Sequence, residues 1–82
     1  MGTTEDADVF KKETRNYTVE VDPANRYGYF EHNIRGGGGG LWFENTEEGK
    51  LGLVDYDGVF ELPGPIIDIL REGGFIVGKE FE

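Results

Sequence analysis

The chain contains no cysteine and no serine, has one histidine, and sets eight lysines and arginines against seventeen acids. Without cysteine there is no disulfide and no thiolate, so a metal could draw only on His32 and carboxylates. Without serine or cysteine a hydrolase triad has no nucleophile beyond threonine and tyrosine hydroxyls. Nor is there a long apolar run: nothing approaches the roughly 18 residues of a membrane-spanning helix. The opening MGTTEDADVF is polar and acidic where a secretory leader needs roughly 7–15 apolar residues. Asp6 also stands where an N-myristoylation pattern needs serine or threonine. These absences predict a cytoplasmic protein with no membrane contact, no cofactor and no metal site.

The scarcity of bases leaves a net charge of −9 and an isoelectric point near 4.4. It is uneven, since only Lys50, Arg71 and Lys79 follow residue 35, while Glu44, Glu47, Glu48, Asp55, Asp57, Glu61, Asp68 and Glu72 crowd the second half. Affinity for nucleic-acid phosphates comes largely from lysine and arginine, so direct nucleic-acid binding is not expected. A protein partner with a basic surface is the natural counterpart, its encounter steered by the negative field. The same charge also keeps a small domain soluble.

An 82-residue chain forms one domain with a thin core. Residues 1–12 show no period and read as a flexible N-terminal arm, leaving 13–82 as the domain. Within it, Tyr17, Val19 and Val21 alternate with Thr18, Glu20 and Asp22, the mark of a half-buried strand. DPAN supplies a turn, and RYGYFEHNI a second, antiparallel strand. In that strand Tyr27, Tyr29 and Glu31 share one face, and Phe30, His32 and Ile34 the other, so the buried side is not decided by pattern. LWFE and LGLVDY read as further strands. Asp57-Gly58 is a hairpin signal that would bring Tyr56 opposite Val59. PGPIIDILREGG is the one helix, its Ile66, Ile67 and Leu70 forming an apolar stripe and Gly73-Gly74 its stop. FIVGKEFE closes the chain as a strand with Phe75, Val77 and Phe81 on one face. The sum is an α+β fold: a mainly antiparallel, meander-like sheet of four to six strands, one short helix on one face, and a C-terminal strand.

Gly36 to Gly40 precede the only tryptophan. A phosphate loop needs a following Lys-Ser or Lys-Thr and a helix, and here LWFE follows; a dinucleotide fingerprint fails for the same reason. The run therefore reads as a mobile connection between the second and third strands. DYDG lacks the third acid and the distant glutamate of a calcium loop. His32 has no ligand spacing around it and reads as structural or surface.

Aromatics are plentiful: Trp42, four tyrosines and six phenylalanines. A single sheet with one short helix cannot cover both faces, so some of Tyr27, Tyr29, Trp42 and Tyr56 should stay exposed. Such residues dominate protein interfaces. The leading expectation is a non-enzymatic protein-interaction module. Tyr27, Tyr29, Trp42 and Tyr56, ringed by Glu44, Glu47, Glu48, Asp55 and Asp57, would meet a basic partner. Its size and acidity resemble those of small acidic proteins encoded by phages and mobile elements, which makes an inhibitor a concrete form of that expectation, and mimicry of nucleic-acid phosphates a narrower one. Two alternatives are a homodimer that buries its sheet edge or aromatic face, and a ligand-binding protein or enzyme with His32, Tyr29 and Asp55 around a pocket beside the glycines.

Overall fold

The computed structural model describes residues 9–58 and 61–82. Strands β1 (Phe10–Glu13), β2 (Tyr17–Asp22), β3 (Tyr27–His32), β4 (Gly38–Asn45) and β5 (Leu51–Tyr56) form one sheet in chain order, each antiparallel to its neighbour. Helix α1 (Gly64–Glu72) follows the sheet, and a short 3-10 turn (Lys79–Phe81) ends the chain. The fold is α+β, as the patterning indicates.

Short loops enforce the meander, because links of a few residues allow only antiparallel neighbours. Between β2 and β3, Asp22 accepts from the Ala24 amide and from the Asn25 side chain, closing the turn. Between β3 and β4, Gly36 and Gly37 adopt positive φ (82° and 89°), a region that side chains rarely enter. Asn33 ties two turns together: its side chain accepts from Thr18 Oγ1 at 2.9 Å and donates to the Thr14 carbonyl at 2.9 Å. That satisfies Thr18, the one buried polar residue among those described.

The inner face of the sheet carries Val19, Val21, Phe30, Leu41, Phe43 and Leu53, and α1 covers it with Ile66, Ile67, Ile69 and Leu70. Phe75 and Val77 complete the core. Helix α1 stops in a double carbonyl cap: the Gly74 amide donates to Arg71 O and the Phe75 amide to Leu70 O, with Gly74 at φ 94°.

Several expectations change. The arm predicted over 1–12 is shorter at its inner end, since Phe10–Glu13 pairs with β2 as an edge strand; its residues 1–8 lie outside the described ones. Phe10 anchors this strand by packing edge-on against Phe75, ring centres 5.4 Å apart. The C-terminal strand shrinks to a single parallel bridge, Gly52 with Ile76, in which the Leu53 amide donates to Ile76 O and the Ile76 amide to Leu51 O. Beyond it the chain turns away at Gly78, and Arg71 holds it by donating to Val77 O and pairing with Glu82, both at 2.7 Å. The glycine run is mostly strand: Gly38 to Gly40 belong to β4, and only Gly36 and Gly37 make the turn. The hairpin partner predicted at Val59 lies outside the described residues.

Candidate functional site

With α1 on the inner face, the outer face of the sheet stays open. Pairing registers align its side chains in rows across the strands. One row runs Asp22, Tyr27, Trp42, Asp55; the next runs Lys11, Glu20, Tyr29, Gly40; a third runs Glu13, Thr18, Glu31, Gly38. Neighbouring strands lie about 4.8 Å apart, so the members of a row are in lateral reach.

The centre of the first row is aromatic. The Phe43 amide donates to Arg26 O, which makes Tyr27 and Trp42 a non-hydrogen-bonded pair, the kind whose side chains approach most closely. Their rings meet edge to face with centres 5.4 Å apart. Both remain substantially exposed, Tyr27 at 44% and Trp42 at 39%. Gly40 lies beside them, and the space its Cβ would fill is taken by the tips of those two rings.

Carboxylates border this pair. Strict alternation along LGLVDY would send Asp55 inward with Leu51 and Leu53. A register shift between Trp42 and Phe43 instead pairs Phe43 with Leu53 and Trp42 with Asp55, leaving Val54 as the extra residue. Leu53 and Tyr56 therefore both face the core, and Asp55 faces outward beside Trp42. Its Oδ1 accepts from the Tyr56 amide at 2.8 Å. In the second row Tyr29 donates its hydroxyl proton to Glu20 at 3.0 Å. That bond, then partial desolvation and the nearby charges of Glu20 and Glu31, hold the Tyr29 phenol above its usual range.

Of the residues predicted to form the binding surface, Tyr27, Tyr29, Trp42 and Asp55 share this open face, and Glu44 stands exposed near its end. Glu47 and Glu48 sit in the β4–β5 turn and Asp57 just past β5, all exposed but outside the rows. Tyr56 is a correction: its ring is half-buried against the core and packs edge-on to Phe81 at 6.0 Å. Asp22, Glu20 and Glu31 are members that sequence reasoning missed, although their alternation with Val19, Val21 and Phe30 already marks their side.

The His32 constellation does not assemble. His32 lies on the inner side of β3, with its ring 5.1 Å from Tyr17 and 6.1 Å from Phe30, whereas Tyr29 and Asp55 face outward. Among the described residues no group of three or more carboxylate or histidine side chains is gathered to hold a metal ion. No helix there is long and apolar enough to cross a membrane.

A five-stranded meander backed by one helix, with an aromatic and acidic open face, is the class of protein that fold and site define. No known protein family, curated protein or solved structure matches the chain.

Proposed function

We propose that the protein is a non-enzymatic interaction module that binds a basic surface of another protein through the open face of its sheet. The observation that carries this reading is the exposed Tyr27–Trp42 pair, bordered across the sheet by Asp22 and Asp55 and in the adjoining rows by Glu20 and Glu31. Large aromatics inside a charged rim are the usual anatomy of a binding surface, with the aromatics supplying most of the energy. The rim selects a cationic partner and speeds its approach. An inhibitor that occludes a basic site is one form such a module takes.

The homodimer alternative meets an electrostatic obstacle on this face. A two-fold dimer sets a patch against its own copy, so Glu20, Asp22, Glu31 and Asp55 would meet like charges. Light scattering at low and moderate salt should give a monomer; a dimer that survives moderate salt and dissolves on Trp42→Ala would transfer the face to self-association.

The direct test is affinity capture with the folded chain, followed by measurement on the purified partner. Trp42→Ala should weaken that complex about thirtyfold, the roughly 2 kcal/mol of a hot-spot aromatic. Ile34→Ala, which removes a still more exposed apolar side chain away from the rows, should leave it unchanged. Equal loss in both variants, or none in either, would count against this face.

A further inference from the structure

Resting on the reading of the open face as the binding surface, we infer that its anchor is an arginine of the partner, with the guanidinium laid on Trp42 and paired with Asp55. Three observations lead to this end of the row. The bulge turns Asp55 outward directly across from Trp42. The Tyr56 amide fixes Asp55 Oδ1 and leaves Oδ2 free to accept, so the carboxylate is oriented before any ligand arrives. Asp22, at the opposite end beside Tyr27, has both oxygens engaged by Ala24 and Asn25 of its own turn.

Charge separates the two ends further. Arg26 precedes Tyr27 and lines the same shallow groove as Trp42 and Glu44, yet forms no ion pair among the described residues. Arg26 enters β3, two strands away from Asp55 on β5, so its positive charge bears less on the Asp55 side of Trp42 than on the Tyr27 side. Glu44, two residues along β4 from Trp42 and likewise unpaired among the described residues, adds negative potential on that strand.

The chemistry prefers arginine to lysine. A guanidinium is planar, weakly hydrated and able to stack on an indole while its N–H groups reach a carboxylate alongside. A lysine ammonium is compact and strongly hydrated, and it draws on the negative field without needing an aromatic plane. A stack-and-pair site therefore discriminates between them, where a merely acidic surface does not.

The test compares a four-arginine with a four-lysine peptide of equal length, titrated into the full chain at about 0.15 M salt. Trp42 is the only tryptophan, so its fluorescence reports the site, and backbone amide shifts report where each peptide lies. The arginine peptide should bind about tenfold more tightly than the lysine peptide, a difference within the range of a desolvated cation–π contact. Asp55→Asn should remove most of that preference, while Glu48→Gln, which deletes the same charge in the β4–β5 turn, should preserve it. Equal affinities with shifts still on β3, β4 and β5 would overturn the arginine anchor and leave the proposed binding face standing. Shifts centred on the Glu47–Glu48 turn or on α1, or no binding of either peptide, would overturn both.

Discussion

Gly39 and Gly40 are adjacent in β4, yet the space beside each is used differently. On the inner side of Gly39 runs the backbone of Asp57 and Gly58, which crosses so close that a Cβ has no room. On the outer side of Gly40 the obstacles are the Tyr27 hydroxyl at 2.9 Å and the Trp42 ring tip at 3.1 Å, the far ends of movable side chains. Gly39→Ala should therefore cost about 1–3 kcal/mol or more in urea unfolding, as overpacking against backbone does. Gly40→Ala should be neutral or stabilising by up to about 1 kcal/mol, because glycine is a poor strand residue, and it should shift the Trp42 emission. Equal costs at the two sites would contradict this division. The sequence showed that the five glycines were no phosphate loop, but composition alone cannot tell a mobile loop from a strand whose neighbours crowd it. Tyr29 makes a second residue-scale case. Its phenol ionises above the usual range because the proton is shared with Glu20. The folded pKa is raised, so the stabilisation is fully present below the unfolded pKa of about 10 and is lost as pH rises through the higher folded value. Titrating the ring ζ-carbon by NMR should place Tyr29 above that reference, and Glu20→Gln should lower it; no change in the variant would remove Glu20 as the cause.

Among the elements, those with strong periodicity were legible: β2 from its alternation, α1 from its isoleucine and leucine stripe, β3 and the outer part of β4 from their aromatics. Edge and end segments were not. FKKE carries three charges in four residues, which suits an exposed edge but hides the strand, and only Phe10 reveals an inner side. FIVGKEFE has strand-like residues, but its sheet pairing stops after Ile76 because Arg71 and Gly78 lead the chain elsewhere. The bulge in β5 was equally invisible, since plain alternation accounts for LGLVDY while sending Asp55 the wrong way. It also yields a counter-intuitive expectation. Deleting Val54 removes the extra residue and leaves Leu53 and Tyr56 inward and Asp55 outward, so the fold should survive. Amide spectra of the deletion variant would check this; collapse would mean that the bend itself is needed to carry Asp57 over Gly39. Helix α1 gives the opposite expectation. Leu70 is fully buried and its carbonyl receives the Phe75 amide, so Leu70→Ala should cost about 2–5 kcal/mol by thermal or urea unfolding.

At the scale of the whole molecule, the charge of −9 acts on folding and on binding in opposite directions. Within the folded chain the acids repel one another with limited compensation, because seventeen of them face only eight lysines and arginines. Added salt screens that repulsion, since the Debye length falls from about 30 Å at 0.01 M to about 10 Å at 0.1 M. Unfolding separates the same charges, so screening benefits the compact state more, and the urea midpoint should rise between those two salt concentrations. Association with a basic partner draws on attraction across the interface, and the same salt weakens it, chiefly by slowing the steered encounter. The two trends should therefore diverge in one buffer series: stability rising with salt, association rate falling. A stability that falls with salt would mean that attractive pairs dominate the fold's electrostatics. An association rate indifferent to salt, in a complex still lost on Trp42→Ala, would leave the aromatic pair as the binding determinant and reduce the carboxylates around it to solubility.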